Sequence, residues 1–190
     1  RGIVVNGKEY EVDCIIYASG FEITSSYQRR IGFPINGVDG ESIYDHWDDG
    51  MRAMHGVMAH GFPNMFLCGG LFVFQLGPNY CYGVDFQAKH VAYTLSELTK
   101  RKVKVAQPST EAVQHWMDDQ LSAESSQAQL VLGGSPASCT PGYYNQEGTA
   151  ERYRDVRLES YGKGLVAYGR VLEEWRMAGD FDGLELTDEC

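Results

Sequence analysis

The chain contains 190 residues, of which 43% are hydrophobic and 22% are charged, values typical of a folded globular protein. Its 16 basic and 26 acidic residues give a formal net charge of −10, which argues against nucleic acid and anionic membranes as partners. No apolar stretch approaches the roughly 18 residues that a transmembrane helix requires.

The first part of the chain predicts a β-hairpin that leads into a buried strand. Residues 2–5 and 9–12 flank an Asn-Gly dipeptide, which suits a tight turn with positive φ. Residues 12–18 are nearly all apolar, a pattern typical of a strand that is covered on both faces. We expect this strand to end at Ser19 and Gly20.

The middle of the chain predicts irregular structure, then a short strand and a helix. Residues 22–60 are rich in glycine and turn dipeptides and show little periodicity. Residues 65–68 predict a second buried strand, which two glycines end. A helix is predicted over 85–100, with Asp85 as its N-cap. Its apolar face is predicted from the helical spacing of four residues, Ala88, Val91, Leu95 and Leu98.

The remainder alternates predicted helices and strands. Ser109 is the expected N-cap of a helix that runs to about residue 130. The next predicted elements are a strand over 154–160, a helix from 165 to near 179 and a short strand over 184–186. This alternation favours an α/β fold with a mixed or parallel sheet and flanking helices.

No complete catalytic motif stands in the sequence, since it lacks a G-x-G-x-x-G, a P-loop and a G-x-S-x-G elbow. Five cysteines without a C-x-x-C pair argue against structural zinc and favour a reducing, cytoplasmic compartment. No metal ligand is therefore expected. The strands over 12–18 and 65–68 both end in small residues, and ligands of open α/β sheets bind at such carboxyl ends. From the pattern alone, ordinary strand-to-loop turns are the favoured explanation of these endings.

Five segments, in order along the chain, resemble segments of flavin-dependent monooxygenases, and the fourth and fifth resemble those of the Baeyer–Villiger branch. They are 13–21 (DCIIYASGF), 61–66 (GFPNMF), 85–93 (DFQAKHVAY), 139–148 (CTPGYYNQEG) and 175–180 with 183–186 (WRMAGD and GLEL). The chain departs from that family at Ser19, where threonine is usual, and at Gly69-Gly70, where Gly-Pro is frequent.

The resemblance implies a Rossmann-like flavoprotein with two dinucleotide-binding domains, of which this chain is the C-terminal part. Residues 1–21 would end the NADPH-binding domain and carry the return strand. Residues 22–190 would form the C-terminal part of the FAD-binding domain, with loops on the substrate side. The FAD and NADPH fingerprints and the catalytic arginine lie upstream in such enzymes, so no catalytic residue is expected here. The missing N-terminal half is the expected partner, with a second copy of the chain as the alternative.

The implied activity is an FAD- and NADPH-dependent insertion of one oxygen atom from O2 into a ketone. An ester or lactone forms through a flavin peroxide, and this fragment alone is expected to be inactive. Two alternatives remain open: a flavin monooxygenase that oxidises nitrogen or sulfur nucleophiles, and a non-catalytic, acidic interaction module.

The resemblance also assigns individual positions in this sequence. The cofactor-binding positions are Ala18, Ser19, Gly20, Phe21, Gly69, Gly70 and Asn79. The substrate-side positions are Leu71, Tyr80, Cys81, Tyr143, Tyr144 and Asn145. Simple loop packing is the alternative interpretation of the tyrosines and of the cysteine.

Overall fold

A computed structural model of the protein describes residues 2–18, 28, 31–48, 50–69, 79–122, 161 and 163–188. The strands there are β1 (Gly2–Val5), β2 (Lys8–Glu11), β3 (Val105–Pro108) and β4 (Leu184–Thr187). The helices are α1 (Ile43–His46), α2 (Tyr80–Lys100), α3 (Thr110–Ser122) and α4 (Leu165–Ala178). The mixture of helices and strands agrees with the coarse prediction, whereas the predicted mixed or parallel sheet is not observed in the described residues. The pairing within the described residues is antiparallel, in two separate two-stranded sheets.

The N-terminal hairpin forms as predicted. Strands β1 and β2 pair antiparallel, with Gly2 opposite Glu11 and Val5 opposite Lys8. Asn6 and Gly7 connect them with φ values of 50° and 79°. Two successive positive φ values give a turn whose twist matches that of the strands, which is why asparagine and glycine suit these positions.

The strand predicted over 12–18 is wrong for this chain: the segment carries no strand pairing, and its side chains are exposed. Ile16 and Tyr17 are 84% and 86% exposed. A strand that is buried on both faces needs neighbouring strands, and none in the described ranges lies beside this segment. The strand predicted over 65–68 also does not form, although Leu67 N donates a 2.8 Å hydrogen bond to Val57 O.

Strand β3, which the sequence did not predict, pairs with β4, the C-terminal strand that it did predict. Val105 lies opposite Thr187 at one end of this ladder. The side chain of Asn64 extends it, since its Nδ2 donates to Lys104 O at 2.9 Å and its Oδ1 accepts from Ala106 N at 3.0 Å. The turn that contains Asn64 is thereby fixed against β3.

Helix α2 begins at Tyr80 and not at the predicted position, because Asn79 caps it through a 2.9 Å hydrogen bond from Cys81 N. Asp85 instead forms an ion pair with Lys89 one turn later. The N-cap predicted for α3 is confirmed: Ser109 Oγ accepts from Ala112 N at 3.1 Å. The predicted continuation of α3 to residue 130 and the strand over 154–160 lie outside the described residues.

The main core lies where α2, α3 and α4 meet the turn at 53–54. Tyr168 and Leu172 of α4 are fully buried there. Gly169 lets α2 approach, because a Cβ at this position would stand 2.6 Å from the Phe86 ring. Helix α4 ends at Gly179 with φ 66°, as its sequence predicts.

None of the helices in the described ranges combines the length and the hydropathy that a membrane crossing demands.

Candidate functional site

The candidate site is the junction between Gly69 and the first turn of α2. Gly69 has φ +77°, a backbone conformation that residues other than glycine rarely adopt. The Tyr80 hydroxyl donates a hydrogen bond to Gly69 O, and Gln87 Oε1 accepts one of 2.8 Å from Gly69 N. Both polar groups of this glycine are therefore held by side chains of α2, seven residues apart on one face of the helix.

The amino end of α2 is exposed and carries no acidic residue in its first turn. Asn79 accepts from Cys81 N at 2.9 Å and its carbonyl accepts from Tyr82 N at 2.9 Å. The positive end of the helix dipole is therefore not offset by a local carboxylate. Such an end favours an anion or an electron-rich oxygen placed beside it.

A buried polar network lies directly behind this junction. Gln87 and Tyr168 are both 0% exposed. Gln87 Nε2 donates to the Tyr168 hydroxyl at 3.1 Å and lies 3.5 Å from Gly56 O. The Tyr168 hydroxyl in turn donates to His55 O at 2.6 Å. Burial raises the pKa of Tyr168, which keeps this hydroxyl protonated and able to donate.

Two histidines continue the network into the core. His55 Nδ1 and His90 Nε2 are 3.2 Å apart, and the rings of Trp116 and Trp175 pack edge-on against His55. Burial lowers the pKa of His90 to about 4, with the positive charge of Arg176 as the second cause. Burial also lowers the pKa of His55 well below its ordinary value. Both rings are therefore neutral at pH 7.

The structure brings together some of the predicted site residues. Gly69 and Tyr80 are hydrogen-bonded, and Asn79 and Cys81 share the same exposed end of α2. Ala18 is exposed at the end of the segment 12–18. The other predicted positions lie outside the described residues: Ser19, Gly20, Phe21, Gly70, Leu71, Tyr143, Tyr144 and Asn145. No group of three or more metal-ligating side chains occurs in the part of the chain that the structure describes.

Sequence reasoning missed Gln87, Tyr168 and the two histidines. The predicted apolar face of α2 is correct only in part. Leu98 is buried and Val91 packs against the same cluster, whereas Ala88 is exposed and Leu95 is 47% exposed. The buried face instead consists of Gly83, Gln87, His90, Thr94 and Leu98. Three of these five residues are polar, so a search for apolar periodicity passes over them. Their signal is the helical spacing itself, which places three hydrogen-bonding residues on a single stripe.

Two curated proteins show what the chain is similar to over nearly its whole length. It is 34% identical over 187 residues to the FAD-binding monooxygenase hmp7 of Hypomyces subiculosus. The aligned region covers 97% of this chain and 30% of that protein. It is 34% identical over 185 residues to Baeyer-Villiger monooxygenase 4 of Dietzia sp. (strain D5), covering 96% and 29%. The chain thus spans about 30% of the length of these relatives. No family profile matches it.

Solved structures agree with this similarity. The polycyclic ketone monooxygenase of the thermophilic fungus Thermothelomyces thermophila superimposes with a TM-score of 0.73 at 27% identity, over 97% of this chain and 29% of that one. A steroid monooxygenase bound to NADP gives a TM-score of 0.71 over 99% of this chain and 32% of that one. Its 21% identity shows a shared fold alone. The resemblance to flavin-dependent monooxygenases of Baeyer–Villiger type is therefore confirmed along this chain.

Proposed function

We propose that this chain forms the C-terminal part of an FAD- and NADPH-dependent monooxygenase that inserts one oxygen atom from O2 into a ketone. An ester or a lactone is the product. The observation that carries the proposal is the similarity to Baeyer–Villiger and FAD-binding monooxygenases over 96% to 97% of the chain. The activity belongs to the longer enzyme, and these 190 residues alone are inactive under this proposal.

The described residues fit the edge of a flavin ring. Gly69 presents a backbone without a side chain, and Tyr80 and Gln87 fix that backbone in place. The exposed amino end of α2 lies on the same junction and favours an electron-rich ring oxygen. When bound, FAD supplies the oxygen-activating chemistry, while the protein supplies position, electrostatics and exclusion of water. Since the sequence has no G-x-G-x-x-G, the phosphates of the cofactors bind to the rest of the enzyme.

The remaining site assignments belong to the same proposal. Asn79, the cap of α2, is assigned to cofactor binding, as are Ala18, Ser19, Gly20, Phe21 and Gly70. Tyr80 and Cys81, in the first turn of α2, are assigned to the substrate side, as are Leu71, Tyr143, Tyr144 and Asn145. The support for Tyr80 and Cys81 is their exposure beside Gly69.

The two-domain Rossmann-like arrangement is also part of the proposal. Residues 1–21 end the NADPH-binding domain and return the chain to the FAD-binding domain, which residues 22–190 continue. The exposed apolar segment 12–18 supports this assignment, because such a segment suits a strand whose neighbours lie in the rest of the enzyme. Free thiols at Cys14, Cys68 and Cys81 suit a reducing cytoplasm.

The test uses the full-length polypeptide that contains these 190 residues. We expect the purified protein to show an oxidised-flavin absorption spectrum and to oxidise NADPH faster when a cyclic ketone is present. Mass spectrometry of the product should show a lactone that carries one atom from labelled O2. A flavoprotein that oxidises only amines or thioethers would overturn the ketone assignment. A full-length protein that binds no flavin would overturn the proposal and favour a non-catalytic interaction module.

A further inference from the structure

Gly69 is held at both of its polar groups, and the two side chains that hold it differ in burial. Tyr80, which binds Gly69 O, is 49% exposed, whereas Gln87, which binds Gly69 N, is fully buried. A hydrogen bond in a buried environment is less open to replacement by water. The orientation of the peptide group between Cys68 and Gly69, which carries this N–H, therefore depends on Gln87.

Gln87 is itself fixed by groups from other parts of the fold. Its amide nitrogen donates to the Tyr168 hydroxyl of α4 and faces Gly56 O. Tyr168 is anchored by its short bond to His55 O. The network thus connects α2, α4 and the turn at 55–56, where His55 and Gly56 both have positive φ.

Glutamine is suited to this position because its side chain is neutral and carries an acceptor and a donor at the same time. Gln87 uses the acceptor toward Gly69 and the donor toward Tyr168. A carboxylate would lack the donor and would be a buried charge. An apolar residue of the same length would leave the Gly69 amide and the Tyr168 hydroxyl without their present partner.

We propose that Gln87 is a positioning residue that sets the orientation of the Cys68–Gly69 peptide against the flavin edge, with Tyr168 fixing Gln87. This inference rests on the proposed function, in which Gly69 borders the cofactor. Gln87 does not touch the cofactor in this assignment. It acts through the backbone of Gly69. Replacing Gln87 therefore changes the environment and the reactivity of the bound flavin more than it changes how tightly the flavin is bound.

The experiment compares Gln87→Met with wild type in the full-length flavoprotein. Methionine keeps the length of the side chain and removes the hydrogen bonds to Gly69 N and to the Tyr168 hydroxyl. We expect amide hydrogen exchange in the peptide that contains Gly69 to accelerate about tenfold or more, as for a lost buried hydrogen bond. We also expect an altered visible circular dichroism spectrum of the flavin. The hydrogen peroxide released per NADPH oxidised should rise several-fold, while KM for NADPH stays unchanged.

Gln107→Met is the matched control, because Gln107 Oε1 also accepts from a glycine amide, that of Gly61 at 3.3 Å. Its loss should accelerate exchange near Gly61 and leave the flavin spectrum and the peroxide yield at wild-type values. If Gln87→Met fails to fold, Tyr168→Phe replaces it. That variant keeps the Gly69 bond and removes its support, and it should change the same readouts in the same direction, less strongly.

The outcomes separate this inference from the function on which it rests. Faster exchange at Gly69 with an altered flavin spectrum and higher peroxide yield supports the positioning role. Faster exchange with unchanged flavin readouts overturns it and leaves the monooxygenase assignment intact. Unchanged exchange at Gly69 overturns it at its structural basis. A wild-type protein without flavin overturns the proposed function and the positioning role with it.

Discussion

At the scale of single residues, His55 and His90 make the stability of the core depend on pH. Their ring nitrogens are 3.2 Å apart, and burial lowers the pKa of both rings, that of His90 to about 4. His90 Nδ1 has no hydrogen-bond partner in the part of the chain that is described. Protonation of either ring in the folded state would place a charge in an apolar cluster that includes Trp116 and Trp175.

The histidine pair predicts a loss of stability in mild acid. The unfolded chain takes up protons near pH 6.5, whereas folded His90 does so only near pH 4. The free energy of unfolding is therefore at its full value above about pH 6.5 and decreases as the pH falls toward 4, because the unfolded chain binds the protons first. For His90 the loss is about 3 kcal/mol.

We expect His90→Gln to reduce the decrease in melting temperature between pH 7 and pH 4.5 in the full-length protein. Glutamine still offers a hydrogen-bonding group to His55 and does not titrate. His115→Gln is the control, because His115 is exposed on α3. An acid dependence that is the same in His90→Gln and wild type would contradict the assignment.

Gly69 predicts a second effect at the residue scale. In Gly69→Ala, the new Cβ would stand 2.6 Å from the Tyr80 hydroxyl oxygen, in a backbone with φ +77°. Gly40 has a nearly identical φ of +78°, but nothing lies within 4 Å of its Cβ position. Gly40→Ala therefore measures the backbone cost alone, about 1–2 kcal/mol.

Gly69→Ala should cost more than Gly40→Ala in the free energy of unfolding, as measured by denaturant titration of the full-length protein. Tyr80→Phe should recover part of the difference when it is added to Gly69→Ala, because it removes the clashing oxygen. The double-mutant cycle isolates that term. Equal costs for the two alanine variants would show that the contact with Tyr80 is not close.

At the scale of elements, the contact between α2 and α4 depends on Gly169. A helical glycine usually costs about 1 kcal/mol relative to alanine. Here, however, the Cβ would meet three carbons of the Phe86 ring at 2.6–2.8 Å. Gly169→Ala should therefore destabilise the protein by about 1–3 kcal/mol, as overpacking does. Phe86→Leu in the same chain should relieve part of this loss in thermal unfolding. A stabilising Gly169→Ala would contradict the packing.

Elements were predictable from sequence wherever a local signal decides them. Three local predictions are confirmed by the structure: the turn at Asn6-Gly7, the N-cap at Ser109 and the helix end near Gly179. The start of α2 was misplaced by five residues, because Asn79 and Asp85 are both good N-caps and the sequence does not rank them.

Features that depend on tertiary contacts were not predictable in this way. Strand β3 forms by pairing with β4, which lies about 80 residues later in the chain. Gln87 is buried because Gly69 and Tyr168 satisfy its amide, and neither partner is near it in sequence. Tyr80 and Asn79, by contrast, were singled out through the family resemblance, and their roles at a cofactor or substrate stay predictions.

At the scale of the whole molecule, the apolar segment 12–18 is exposed and forms no strand pairing in the described residues. Ile16 and Tyr17 are almost fully exposed, and the neighbouring hairpin adds the exposed side chains of Val4 and Val5. Isolated apolar side chains are common on protein surfaces, whereas several of them along one segment favour a surface that another chain or domain covers. The chain spans about 30% of the length of its curated relatives, and under the proposed function we expect the rest of the longer protein to cover this surface.

This surface predicts opposite effects of one substitution in two forms of the protein. In the isolated 190-residue chain, Ile16→Lys should reduce self-association, measured by light scattering, because it replaces an exposed apolar side chain with a charge. In the full-length protein the same change should lower the melting temperature, because the lysine would be buried against neighbouring strands. Val166→Lys, at an exposed residue of α4 outside this segment, is the control and should change the full-length protein less. An isolated chain that is a stable monomer without binding of a hydrophobic dye would contradict the covered surface. So would a full-length protein whose melting temperature does not respond to Ile16→Lys.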